Sequence, residues 1–332
     1  MPNQTLHPRL SEALHAVEVD QERRTAHVHG VLVEADSSGA LRHALANKLY
    51  EVLHAGLDWG NGPRPRTLRD AAFERLLTAA VPHQETALRI PAESVTSSTD
   101  PGQRIVSIDE VRTLVPLDAL SFAGVNSEAV TLRYPATRPA LSAGFFLVDG
   151  SAGRLTGSSV VRCYVNVEDA ESAPGIWARV LQVLEDRSVR YRAKVSSSPM
   201  LYPRRDAIVV YLDAADIAAV DLAAITTGLP GLGRSTSVFV RELALGLGIA
   251  AEPSDPRPGM DRMSFGQHRS YALADGVLAY AQAPGSTDTP DVETAVSHAL
   301  IRANVRPNAP WQNSSDADWL PRAADAQRGA NR

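Results

Sequence analysis

Two strand-like runs carry cationic side chains at every second position. In Val160–Val167 (VVRCYVNV), Val161, Cys163, Val165 and Val167 fall on one face and Arg162, Tyr164 and Asn166 on the other. In Val189–Val195 (VRYRAKV), Val189, Tyr191, Ala193 and Val195 point one way and Arg190, Arg192 and Lys194 the other. This follows from the two-residue period of a strand. If both strands share a sheet whose apolar face is covered by a helix, Arg162, Tyr164, Arg190, Arg192 and Lys194 meet on the opposite surface. Like charges so placed repel unless an anion or carboxylates compensate them. Such a surface is either a solvated sheet face or an anion site, where arginine offers planar, bidentate donors to phosphate or carboxylate.

Lys194 sharpens the second reading. Only two of the 33 Lys and Arg residues are lysines, Lys48 and Lys194. A lysine among arginines feels like charges that favour its neutral amine, which can then act as a base. Arginine cannot, because it stays protonated. Lys48, in an amphipathic helix, reads as a surface residue. A second constellation is SFGQHR, Ser264–Arg269, in which Ser264 and Gln267 have capping-box spacing at a helix start. His268 and Arg269 follow in the next turn, with Arg262 upstream. Cations oppose the dipole at a helix N-terminus, so they belong there if a bound anion satisfies them and the amides together. The plain alternative is a cap with two solvated side chains.

Composition removes several classes. The net charge of -5 argues against general nucleic-acid binding. A single cysteine, Cys163, excludes an intrachain disulfide framework and a cysteine-based zinc site. His27 and His29 lie on one strand face without a third ligand, so no metal is expected. No apolar stretch reaches the roughly 18 residues of a membrane span, and the polar start MPNQTLHPRLSEAL carries no secretory signal. The cytoplasm is the expected location. The preference for arginine, amid many alanines, reads as a GC-rich coding bias.

The elements that would position these residues can be read from periodicity. Ala26–Glu34 alternates like a strand, and Leu41, Leu45, Leu49 and Val52 recur at helical spacing up to Gly56. Gly56–Thr67 reads as a loop, Leu68–Ala79 as a helix and Ser94–Gln103 as a flexible connector. Further on come strands at Ala143–Asp149, Val160–Val167, Val189–Val195 and Ala207–Leu212, and helices from Pro174 to Asp186 and from Ser264 to Ala281. The expected class is α+β: a helical N-terminal region, 1–140, followed by a mixed β-sheet core with helices on one face, 141–332. The N-terminal region is a candidate for peptide or partner binding.

The runs VVRCYVNV, YRAKV, YPRRDAIVVYL, LALGLGIAAEP and SFGQHR, in this order, resemble the Hop A class of bacterial type III effectors. They are closer still to homologous enzymes of actinobacterial peptide-natural-product clusters, the class V lanthipeptide and thioamitide systems. The resemblance covers the C-terminal region. Such proteins are distantly similar to phosphothreonine lyases and to the lyase domains of class III and IV lanthipeptide synthetases.

The resemblance implies a carbon–oxygen lyase that eliminates phosphate from phosphoserine or phosphothreonine of a ribosomal precursor peptide. The product, dehydroalanine or dehydrobutyrine, is then captured by a cysteine thiol of the peptide during antibiotic biosynthesis. The lyases carry a K-x-H strand, matched in place by Arg162-Cys163-Tyr164, and a strand lysine that acts as base, matched by Lys194. Where they use histidine as general acid this chain has Tyr164, which leaves Tyr164 or His268 as the acid. Arg162, Arg204 and Arg269 fall to the phosphate, with Arg192 and Arg234 as further contacts. No metal or organic cofactor is implied. The implied partners are the phosphorylated peptide, a separate kinase, since the chain has no kinase signature, and a cyclase; nucleic acid and membrane are not among them. The alternative is a non-catalytic subunit that binds the leader peptide or scaffolds the kinase, and a third reading is an effector acting on a host protein.

Overall fold

The structure, a computed structural model, describes residues 5–57, 67–108, 110–122, 128–155, 157, 159–260, 263–288 and 291–316. The α+β class expected from the sequence is the one that forms. The chain divides into two compact units, but not at residue 140. Unit 1 gathers Met1–Arg64, Ser159–Arg162 and Ser235–Arg332; unit 2 holds Pro65–Ser158 and Cys163–Arg234. The chain passes from unit 1 into unit 2 within the single strand Val160–Val167.

Unit 1 is built on helices. Ser38–Leu49 is capped by the Ser37 side chain and buries Leu41, Leu45 and Leu49 at i, i+4 and i+8. It runs into a π-helical turn, Tyr50–Ala55, which Gly56 ends with φ 70°. This helix packs on Phe265–Gln282, which packs on Val292–Arg302. The run expected as one strand from Ala26 to Glu34 is a hairpin, Thr25–Val28 against Val31–Glu34. Its turn residues His29 and Gly30 sit at φ 48° and 77°, the left-handed pair that a two-residue hairpin loop requires. Two strands of four residues each carry too few repeats for a change of phase to mark that reversal.

Unit 2 is mostly strand, including the part expected to be helical. Between residues 85 and 142 the chain makes two small three-stranded sheets and the strand Thr137–Ser142. The two small sheets meet over Ile90, Val106, Leu120, Val130 and Leu132. The expected connector at Ser94–Gln103 contains the strand Val95–Ser97, which pairs with Gln103–Ile108. The expected helix from Leu68 begins at Ala71, behind an Asp70 cap. Most of the Gly56–Thr67 loop lies outside the described residues.

The larger sheet of unit 2 runs in the order Thr137–Ser142, Phe145–Asp149, Tyr191–Ser196, Arg204–Asp213, Val160–Val167. Helix Ala173–Glu185 buries Ile176, Trp177, Val180, Leu181 and Leu184 and packs on the Tyr191–Ser196 strand. The Tyr191 hydroxyl donates to Glu185 Oε1 at 2.8 Å, tying helix to strand. Trp177 is fully buried. Trp177→Ala is expected to lower unfolding free energy by about 3–5 kcal/mol and Trp177→Phe by clearly less, read by denaturant titration.

Candidate active site: a cationic strand face around Lys194

Burial along Tyr191–Ser196 alternates from Tyr191 to Val195, with Tyr191, Ala193 and Val195 inside and Arg192 and Lys194 half-exposed. Register places Leu147 and Val209 opposite Lys194, and Asp149 and Tyr211 opposite Arg192. Directly opposed residues share a face. The Lys194 Nζ lies 4.2 Å from the centroid of the Phe145 ring and 5.8 Å from that of Tyr211. Among the described residues it makes no hydrogen bond and no ion pair. The guanidinium carbon of Arg204 lies 5.0 Å over the same Phe145 ring. One aromatic ring thus gathers the lysine and an arginine, held by attraction of cations to its π face.

The neighbouring arginines are differently placed. Arg192 donates from Nε to Asp149 Oδ1 at 2.7 Å and from Nη2 to Oδ2 at 3.2 Å. Arg204 pairs in the same bidentate way with Asp206, at 2.5 and 3.1 Å. Asp149 is fully buried and also faces Arg138, whose Nε is 3.7 Å from Oδ2. The guanidinium carbon of Arg138 lies 4.4 Å from the centroid of the Tyr134 ring, and that of Arg154 5.9 Å from it. Tyr164, in unit 2 on the Val160–Val167 strand, is buried. Arg234, also in unit 2, is exposed. Cys163 is fully enclosed, and burial pushes its thiol up to about 12, which removes it from nucleophilic chemistry.

Arg162, His268 and Arg269 belong to unit 1. Arg162 is buried in a bidentate pair with Glu252, so it is not on a solvated face. Ser264 forms the expected capping box with Gln267. Arg269 is fully buried; its Nε donates to the Pro310 carbonyl at 2.8 Å, Nη2 to Asn313 Oδ1 at 3.1 Å and Nη1 to His268 Nδ1 at 2.6 Å. Arginine only donates, so His268 Nδ1 accepts and its single proton sits on Nε2, 2.8 Å from Asp255 Oδ2. His268 is therefore neutral, with both nitrogens engaged and no proton to spare for a leaving group. Burial, with Arg269 alongside, pushes its imidazole down to about 4 against the pull of Asp255. Burial opposes ionisation of Asp255, but hydrogen bonds from Arg257 and His268 outweigh it and hold the carboxyl at about 2.

The rest of SFGQHR is explained by packing in unit 1. A Cβ at Gly266 would lie 2.2 Å from the His54 ring, so only glycine lets helix Phe265–Gln282 approach the π turn. His54 in turn meets Ser237 Oγ at 2.9 Å through Nδ1. Lys48 is not the surface residue the sequence suggests: its side chain is 11% exposed and its Nζ pairs with Glu51 at 2.8 Å. Of the two lysines, Lys48 has a carboxylate and Lys194 has none among the described residues. Arg262 lies outside the described residues.

Sequence reasoning missed Phe145, Asp149, Tyr211, Tyr134 and Arg138. Phe145 and Asp149 lie in the strand expected at Ala143–Asp149, for which no site residue was named, and only cross-strand register brings them to Lys194 and Arg192. The described residues hold no group of three or more His, Cys, Asp or Glu able to bind a metal, and none of the described helices is long and apolar enough to cross a membrane.

The family model of the HopA1 effector proteins matches residues 136–311, a little over half of the chain. The chain belongs to the HopA1 effector protein family. The HopA1 match takes in Tyr164, Lys194, Arg204, His268 and Arg269 and omits the two small sheets before residue 136. Two solved structures are similar to the chain, both effector proteins of Pseudomonas syringae. That of pathovar syringae strain 61 is 14% identical, covering 83% of this chain and 92% of its own, with a TM-score of 0.46. That of pathovar tomato strain DC3000 is 12% identical, covering 85% and 91%, with a TM-score of 0.46. No curated protein matches the sequence.

The His268 geometry has a pH consequence. The unfolded imidazole titrates near 6.5 and the folded one near 4, so between these values only the unfolded chain takes up the proton. Stability contributed here is complete above about pH 6.5 and falls as pH drops towards 4. Asp255, held near 2 instead of 3.8, adds a further loss between those two values. His268→Gln keeps a donor for Asp255 and is expected to flatten the dependence of Tm on pH between 6.5 and 4; an unchanged slope in thermal unfolding would contradict the neutral histidine.

Proposed function

We propose that this HopA1-family chain is a phosphoserine/phosphothreonine lyase acting on a ribosomal precursor peptide in lanthipeptide or thioamitide biosynthesis. The observation that carries the reading is the setting of Lys194. Its amine rests on aromatic rings with no carboxylate or hydrogen-bond partner among the described residues, while Arg192 and Arg204 beside it are each paired. A lysine not locked into an ion pair is free to take a proton from substrate, the task of a general base. In the reaction, Lys194, after giving up its own proton, removes the α-proton, the C–H electron pair becomes the Cα–Cβ double bond, and the Cβ–O bond breaks. The phosphate departs with that bonding pair and takes a proton from the general acid.

Tyr164 is the acid in this reading, because the one proton of His268 faces Asp255. Arg192, Arg204 and Arg234, in the unit that holds Lys194, are the phosphate donors, and charge leaving on the phosphate is what such donors stabilise. Arg162 and Arg269 act through the packing of unit 1. The chemistry needs no cofactor; a separate kinase supplies the phosphorylated peptide and a cyclase takes the dehydrated product. The pairing of Arg204 and Arg192 with carboxylates favours a second reading, a non-catalytic peptide-binding or kinase-scaffolding subunit, since a phosphate would have to compete with Asp206 and Asp149.

Incubation of the protein with phosphorylated precursor, followed by mass spectrometry, separates the two. Loss of phosphoric acid is expected with the wild type. Lys194→Ala and Lys194→Arg are both expected to slow it by about 10²–10⁴-fold, the arginine variant because it cannot be deprotonated. Full activity of Lys194→Arg would remove the base assignment. A wild type that binds the peptide but leaves its phosphate intact in the presence of the kinase would establish the second reading instead.

A further inference from the structure

Arg138 is the cation on this sheet face with the least accounted-for charge after Lys194. Its side chain is 26% exposed. Among the described residues it makes no hydrogen bond, and its nearest carboxylate, at 3.7 Å, is the Asp149 already held bidentately by Arg192. Arg138 and Arg192 therefore share one carboxylate, and Lys194 beside them has none among the described residues. The Tyr134 ring centroid lies 4.4 Å from the guanidinium carbon and holds the cation through its π face; with no hydrogen bond made among the described residues, the guanidinium N–H groups are available to a planar or tetrahedral oxyanion.

The register sets a length. Arg138 lies opposite Leu147, and Leu147 lies opposite Lys194. The three residues form a row across three strands, so the backbones at Arg138 and Lys194 stand about 10 Å apart. An extended peptide advances about 3.3 Å per residue, so it spans that gap in about three residues.

We propose that Arg138, seated on Tyr134, forms a second anion subsite that takes a carboxylate or phosphoryl side chain of the same peptide, about three residues from the one at Lys194. The subsite rests on the lyase reading above and names its substrate class: peptides with two anionic side chains at that spacing. No covalent step is involved; Arg138 is a specificity-determining residue.

The test uses three peptides carrying one phosphoserine, with alanine, glutamate or a second phosphoserine three residues away. Phosphate release is measured as kcat/KM for the wild type and Arg138→Gln, with Arg138→Lys to separate charge from bidentate geometry and thermal unfolding to check folding. The wild type is expected to favour both anionic peptides over the alanine peptide by about tenfold, an energy that one charge-assisted pair supplies. Arg138→Gln is expected to bring that ratio close to one, and Arg138→Lys to leave an intermediate value. Preference for the phosphoserine peptide alone would assign the subsite to phosphoryl groups, and equal preference to oxyanions in general. A wild-type ratio near one, or a ratio that survives in Arg138→Gln, overturns the subsite. If no peptide loses phosphate, the lyase reading fails by itself, and fluorescence anisotropy with the same peptides still reads the subsite: about tenfold tighter binding of the anionic pair, lost in Arg138→Gln, or its absence.

Discussion

A cation taken out of water must find a carboxylate, a hydrogen-bond acceptor or an aromatic face, and that constraint orders both units of this protein. Arg162 has Glu252, Arg192 has Asp149, Arg204 has Asp206, and Lys48 has Glu51. Among the described residues, Lys194 is left with the faces of Phe145 and Tyr211. The attraction of a ring to an ammonium is weaker than a buried ion pair and engages no proton of the amine in a hydrogen bond. That difference separates Lys194 from the paired cations, and it is a property of placement, not of residue type.

The second consequence concerns unit 1. His268 and Arg269, attractive as anion ligands from their place at a helix start, form the interior of a polar network that joins Asp255, Asn313 and the Pro310 carbonyl. Each member is satisfied by the next, which is the condition for a polar group to be tolerated inside a core. Gly266 and His54 complete the same junction between the Phe265–Gln282 helix and the π turn. The SFGQHR motif therefore reports how the first part of the chain and the last are packed into one unit.

Much of the candidate site was legible from alternation. The strand at Val160–Val167, the cationic face of Tyr191–Ser196, the helix at Ala173–Glu185 and the Ser264 cap follow from period-two and helical spacing and from cap chemistry. The strands between residues 85 and 142 were not, because short strands broken by turns carry few repeats of their pattern. The hairpin at His29–Gly30 was hidden for a related reason: each strand is four residues long, and the shift of its buried positions from Ala26 and Val28 to Val33 is a single break in phase.

What the sequence by itself determined is the chemistry on offer: an arginine-rich, lysine-poor chain with one lysine on a strand face and a family signature spread over its second half. Only the tertiary structure decided which of those cations is compensated. Asp149 and Glu252 reach their arginines from distant parts of the chain, whereas Asp206 stands two residues from Arg204 on the same strand; Phe145 reaches Lys194 through a register spanning some fifty residues of chain. Side-chain alternation is a local property of each strand, whereas charge pairing depends on which strands become neighbours.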